Sequence, residues 1–192
     1  MSTATMFTIE TVDDQEEAKR LLPQLIEIYR AAFREPPYNK LEKEVQAFAM
    51  AFPEHCSRRG FKLLAARADN ELVGFVYGYD FWSLRWIYKE LLPHLNGSTW
   101  LESCYQIVEF AVLPAKQGKG LGRRLHDGLL ERALHYERYL LITMAADTRA
   151  MHLYAKRGWE ILLDDHQFPG VNRLYRVLGK TRESQSRRKD AI

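Results

Sequence analysis

A chain of 192 residues with 46% hydrophobic and 28% charged side chains has the material for one folded domain with a substantial core, and too little for two unrelated small ones. Its formal net charge of +3 is carried by the last thirteen residues, where Lys180, Arg182, Arg187, Arg188 and Lys189 outnumber Glu183 and Asp190. The remaining body is formally neutral and lacks the broad basic face of a nucleic-acid binder, so no nucleic-acid partner is expected.

Met6 to Val12 alternates as a first strand, after which Asp13 is expected to cap an amphipathic helix running through Leu21, Leu22, Leu25, Ile26 and Tyr29 to about Phe33. Pro36, Pro37, Tyr38 and Asn39 form a rigid loop, and Leu41 to Phe52 reads as a second helix that Pro53 ends. Phe61 to Arg67 and Leu72 to Tyr79 are β-rich runs joined by a short turn at Asp69 and Asn70, the pattern of a hairpin. From Asp80 to Glu102 the chain mixes Phe81, Trp82, Trp86, Tyr88 and Trp100 with charges, and Leu84, Ile87, Leu91 and Leu92 allow a short helix. Ser103 to Leu113 is a strand, Leu121 to about Arg138 a helix and Tyr139 to Ala145 a buried strand. Thr148 to Arg157 is a helix closed by Gly158, Trp159 to Leu163 and Val171 to Leu178 are the last strands, and the polar tail from Gly179 is expected to be disordered. The expected domain is 1–179 with a basic tail at 180–192, an α/β (α+β) mixed sheet of about seven strands with about four helices.

Cys56 and Cys104 show no metal or disulfide spacing, so no metal is expected and a reducing cytoplasm fits. There is no leader-like start, and no apolar run approaches the roughly 18 residues of a membrane span. No membrane partner is expected.

The segment from Val108 to Arg124, VEFAVLPAKQGKGLGRR, sets a glycine-rich turn between a strand and an amphipathic helix whose apolar side includes Leu121, Leu125, Leu129 and Ala133. The first amides of such a helix have no internal partner and sit at the positive end of its dipole, so a pyrophosphate there gains several hydrogen bonds at once. Lys119, Arg123 and Arg124 add positive charge. The plain alternative is a helix entry in which the glycines only turn the chain. The phosphate-loop pattern fails because no Gly-Lys-Ser/Thr closes it. A dinucleotide fingerprint, with Asp147 as ribose acid, competes, but its third glycine position is Arg123.

Gln117-x-x-Gly120-x-Gly122, preceded by Val112-Leu113-Pro114 and followed by Ala150, Tyr154, Gly158 and Trp159 in register, resembles the signature of the GNAT superfamily of N-acyltransferases. The resemblance is specific over about Val108 to Trp159. It implies a central, mostly antiparallel, splayed sheet and an enzyme moving an acetyl or small acyl group from acetyl-CoA, as cosubstrate, to the primary amine of a small molecule or peptide, as a monomer or homodimer. The backbone of Phe110, Ala111 and Val112 would pair with the pantetheine arm, and the amides of Gln117, Gly118, Lys119, Gly120, Leu121, Gly122 and Arg123 would hold the pyrophosphate. Asp147 stands where members often have asparagine near the cofactor, and its charge alters that contact.

Within this resemblance Tyr154 takes the place of the donor to the departing thiolate, and Glu109 is the first candidate for the base that deprotonates the amine. Glu35, Asp80, Glu102 and His94 are alternatives. Tyr38, Trp82 and Trp86 are candidates to line the acceptor pocket, although aromatic clusters are more often core. The scattered histidines His55, His126, His135, His152 and His166 receive no role. A non-catalytic acyl-CoA sensor is the alternative function.

Overall fold

The computed structural model describes residues 6–82, 86–95 and 99–182. Strand β1 (Thr8–Val12) leads to helix α1 (Gln15–Phe33), a loop with a cis Pro36–Pro37 bond, and α2 (Glu42–Cys56). The hairpin β2 (Lys62–Ala68) and β3 (Glu71–Phe81) follows, then α3 (Trp86–Leu91) and β4 (Cys104–Val112). The chain closes with α4 (Leu121–Arg132), β5 (Arg138–Met144), α5 (Arg149–Lys156), β6 (Glu160–Gln167) and β7 (Leu174–Thr181). Seven strands form one sheet in the order β1-β2-β3-β4-β5-β7-β6, antiparallel throughout except for β4 with β5. This is the mixed, mostly antiparallel sheet expected, with α3 as a fifth helix. A doubly wound parallel sheet is absent among the described residues, and the dinucleotide alternative loses its scaffold. No helix among them is long and apolar enough to cross a membrane.

Helices cover both faces of the sheet. Leu63, Ala65, Phe75, Tyr77 and Tyr79 pack under α1 and α2, while Leu64, Ala66, Val73 and Val76 pack under α4 with Leu121, Leu125 and Leu129. Because successive side chains of a strand point to opposite faces, strands buried on both sides read as continuous apolar runs, as Leu63 to Ala66 does. A third cluster forms where α3 covers the far end of β4 and β5, through Leu91, Leu95, Cys104, Leu140 and Phe168.

Several boundaries differ from expectation; β6 runs on to Gln167 instead of ending at Leu163, and β7 starts at Leu174 instead of Val171. Asp14, not Asp13, caps α1, its carboxylate accepting from the Glu17 N–H at 2.7 Å. Pro53 does not end α2: burial of Phe52 and Cys56, both 0% exposed, outweighs the roughly 3 kcal/mol that an interior proline costs. Helix α4 stops at Arg132, six residues early, because Ala133 and Tyr136 bury themselves in a turn that keeps helical spacing without helical hydrogen bonds. The last strand carries Gly179, Lys180 and Thr181, which were assigned to the tail; residues 183–192 and Leu84 lie outside the described residues.

Helix α5 is held at both ends. Thr148 caps its start by accepting from Met151 N–H, and Gly158, at φ 72°, lets the Trp159 N–H turn back to Tyr154 O at 3.1 Å. The Trp159 indole then donates to His126 Nε2 of α4 at 2.8 Å, while His126 Nδ1 meets Asp127 Oδ1 at 2.8 Å. Only the tautomer protonated on Nδ1 satisfies both contacts, and burial holds the pKa of His126 below its ordinary value. The unfolded chain therefore takes up this proton first, and the stabilisation, complete above about pH 6.5, is lost as pH falls toward the folded pKa. The melting temperature of the wild type should fall more between about pH 7.5 and 5.5 than that of His126→Gln, which keeps an acceptor that does not titrate. Parallel pH dependences would remove His126 from the account.

Candidate active site

Strands β4 and β5 pair only from Cys104↔Arg138 to Ile107↔Leu141, whereas β4 stays paired with β3 as far as Val112. From Val108 to Val112 one edge of β4 is therefore open. Leu113 N–H donates to Val73 O of β3 at 2.9 Å, and since alternate residues aim their main-chain groups at the same edge, those of Phe110 and Val112 face the gap. Ala111 turns the other way: its carbonyl lies 3.2 Å from where a Cβ on Gly74 would stand. Of the three backbones expected to pair with a pantetheine arm, Phe110 and Val112 turn main-chain groups to the gap, and the Val112 carbonyl already accepts from Gln117 Nε2.

A cleft of about 740 Å³ opens at this gap, walled by the 35–38 loop, Phe110 to Val112, the glycine turn and the 147–153 segment at the start of α5. Gly118 and Gly120 have φ of 74° and 80°, a left-handed backbone that costs other residues strain, and Gly122 approaches Phe110 closely enough that a Cβ would sit 3.4 Å from its ring. Arg124 N–H makes the first helical bond of α4, to Gly120 O at 3.2 Å. The amides of Leu121, Gly122 and Arg123 have no main-chain acceptor among the described residues. Leu121 is 1% exposed and does not line the cleft, whereas Gly122 and Arg123 do.

Side chains around the turn divide by role. Gln117 Nε2 donates to Val112 O at 2.9 Å, bracing the turn against the strand end. Arg123 lines the cleft; Lys119 does not. Arg124 is tied by Nη1 to Phe7 O of the first strand region at 3.0 Å, which removes it from the phosphate-binding charge expected of it. Arg149 went unnoticed in the sequence, yet its Nη1 lies 3.7 Å from the Cβ position of Gly118 and it lines the cleft. A cation one residue after a helix cap is a weak local signal; its approach to the turn is tertiary.

Neither Glu109 nor Tyr154 is among the residues that line the cleft; each is next in sequence to one that does, Phe110 and Leu153. Burial raises the pKa of Glu109 above the usual carboxylate value, and the positive charge of Lys40 opposes the shift. Tyr154 is buried; loss of solvation raises its pKa, and the charges of Tyr38 and Glu109 add to the effect. Tyr29, Tyr77 and Tyr175 feel the Glu109 charge as well, so this carboxylate faces phenols brought by α1, β3, β7 and α5. Lys40 Nζ in turn donates to Tyr29 Oη and sits 4.3 Å from that ring's centroid. None of Lys40, Tyr29, Tyr77 or Tyr175 was singled out in the sequence, because their convergence depends on strand order.

Tyr38 lines the cleft and hydrogen-bonds Thr148, joining the proline loop to the α5 cap. Arg173 holds the same loop through Tyr38 O at 2.8 Å and Asn39 O at 3.1 Å. Trp82 and Trp86 do not line this cleft: Trp82 lies beneath the Arg58 guanidinium, 4.8 Å away, and Trp86 is 60% exposed with its edge on Phe168. Asp147 is at the rim, paired with His152 Nε2 at 3.3 Å. Among the alternative bases only Glu35 reaches the cleft; Asp80 pairs with Arg59 at 3.2 Å, Glu102 is exposed at the opposite end of β4, and His94 is beside Glu90.

Comparison with known proteins agrees with this arrangement. The model of the acetyltransferase (GNAT) family matches residues 22–159. A GCN5-like protein acetyltransferase of Mycobacterium tuberculosis is 26% identical, over 86% of this chain and 93% of the relative. Among solved structures, the PaiA N-acetyltransferase from Thermoplasma acidophilum in complex with coenzyme A superposes with a TM-score of 0.64 at 14% identity, covering 91% of this chain and 99% of that one. YncA, a putative acetyltransferase from Salmonella typhimurium with its cofactor acetyl-CoA, gives 0.57 at 14% identity, with 94% and 96% covered. With the family's pattern matched over most of its length and the family's sheet beneath it, this chain belongs to the GNAT acetyltransferase family.

Proposed function

We propose that this protein transfers an acetyl or similar small acyl group from acetyl-CoA to a primary amine of a small molecule or peptide, by direct attack within a ternary complex. The observation that carries this reading is the start of α4, where the amides of Gly122 and Arg123 have no main-chain acceptor among the described residues and both residues line a cleft that continues along the free edge of β4. Donors so arranged suit a diphosphate, and Arg123 and Arg149 supply matching charge. Phe110 and Val112 would pair with the pantetheine arm in the manner of an added strand. Acetyl-CoA supplies the activated acyl group; the chain's own residues orient it and move protons. Asp147 places a negative charge at the same rim, with His152 Nε2 3.3 Å from its carboxylate.

An alkylammonium is mostly protonated near neutrality and must lose a proton before it attacks. Glu109 accepts that proton, directly or through a water. Its raised pKa, caused by burial and opposed by Lys40, makes it a stronger base than an exposed carboxylate. Tyr154, a phenol and so protonated near neutral pH, donates to the departing thiolate. Tyr38 stands at the cleft wall where it can bound the acceptor, while Trp82 and Trp86 have no such position in this cleft.

Three outcomes test this assignment. Glu109→Gln should lower kcat on the order of 10²-fold and abolish the acid limb of its pH profile, which in the wild type should lie above the ordinary carboxylate value of about 4.5. Tyr154→Phe should lower kcat by a similar order with the affinity for acetyl-CoA retained. Unaltered turnover in either variant removes the role given to that residue, and binding of acetyl-CoA without turnover across an amine library favours the sensor. Gly122→Val should crowd Phe110 and the amides, raising the acetyl-CoA KM at least about tenfold, a loss of about 1.4 kcal/mol, with the fold intact by circular dichroism.

A further inference from the structure

Away from the cleft, three side chains of metal-binding type converge where α3 meets β6. Glu90 lies on the last turn of α3 and His94 four residues on, a spacing that brings side chains to one side of a turn, and His166 comes from β6. One carboxylate oxygen and two imidazole nitrogens lie within 4.8 Å of one another. His166 Nε2 is 3.3 Å from Glu90 Oε1, and His94 Nε2 is 4.0 Å from the same oxygen. His166 has a side-chain exposure of only 11%, and its Nε2 is buried without a hydrogen-bond partner. A buried polar nitrogen left in that state costs about 1–3 kcal/mol, so it asks for an explanation.

A protonated His166 paired with Glu90 would explain one of the three contacts and leave His94 unused. We propose that Glu90, His94 and His166 form a binding site for a divalent transition metal, with zinc the best match, that staples the β3–β4 excursion to β6. Two imidazoles and a carboxylate suit zinc, whereas magnesium and calcium favour oxygen alone. Ligands about 2.0–2.1 Å from a tetrahedral ion stand about 3.3 Å apart, the spacing already held by His166 and Glu90. His94, with 48% of its side chain exposed, closes the remaining distance by rotation. Water completes the fourth position. The ligands bracket Leu91, Leu95 and Phe168 of the third core cluster, so the ion would lock that small cluster from its solvent side.

The test uses the full chain, freed of any affinity tag and of metal, titrated calorimetrically with zinc chloride and spectroscopically with cobalt chloride. One equivalent should bind per chain, the cobalt form should show the visible absorption of a tetrahedral site, and zinc should raise the melting temperature. His94→Ala, Glu90→Gln and His166→Asn should each weaken zinc at least about 100-fold, the upper end of what losing even an outer-shell partner costs. His135→Ala, an exposed histidine elsewhere, should bind as the wild type does. His94→Ala decides the matter if His166→Asn fails to fold, since His94 is largely exposed. The proposal is overturned if the wild type binds no stoichiometric zinc, or if binding survives in both His94→Ala and Glu90→Gln.

Discussion

From Val108 to Val112 the main chain of β4 has a strand partner on one side only, and the rest of the site depends on that half-finished ladder. Unpaired backbone in a protein interior is costly unless something else accepts and donates, so a strand that parts from its neighbour within a sheet is a standing offer of hydrogen bonds to an extended ligand. The parting also sets direction. The gap runs toward the start of α4, where the positive end of the helix dipole favours an anion. In the proposed function a ligand with a phosphate at one end lies along that edge, and Glu109 and Tyr154 are the groups assigned to its reactive end.

Those groups constrain one another. Desolvation opposes charge on Glu109, while Lys40 favours it, and burial has the larger effect. Tyr29, Tyr77, Tyr154 and Tyr175 are held protonated by their own burial and by the carboxylate they face. The result is a carboxyl group among phenols that can donate to it but do not compete to ionise, and in its charged form it attracts a cationic amine. Lys40 limits how far that attraction goes. Its hydrogen bond to Tyr29 and its position over the Tyr29 and Phe33 rings fix the cation at a defined place.

Much of this was legible in the sequence where the determinants are contiguous. Gly118, Gly120 and Gly122 announce a turn and a bare helix start within five residues, and Thr148 and Gly158 bracket α5 with cap chemistry that is local by nature. Legibility failed where burial decided. Pro53 looked like a stop because its cost is local, while the benefit of burying Phe52 and Cys56 comes from β2 and β3. Ala133 and Tyr136 kept the apolar spacing of α4 beyond its real end. The phenols around Glu109 come from four elements, and no spacing along the chain encodes strand order. Trp82 and Trp86 were drawn to the acceptor site by aromatic character alone, with no periodicity to say which way they face.

The same distinction bears on the excursion between β3 and β4, the part of the chain with the weakest local signals. Its helix α3 is six residues long, too short to persist on its own, and its stability must come from what it covers. Leu91 is 0% exposed and Leu95 7%, which ties the segment to Cys104, Leu140 and Phe168, and the rings of Trp86 and Tyr88 add contacts with those of Phe168 and Phe81. Glu90, His94 and His166 lie beside this small core. Cys104, where β4 begins, belongs to the same cluster, so the paired end of β4, from which the open edge at Phe110 and Val112 extends, is anchored by a small core that α3 completes.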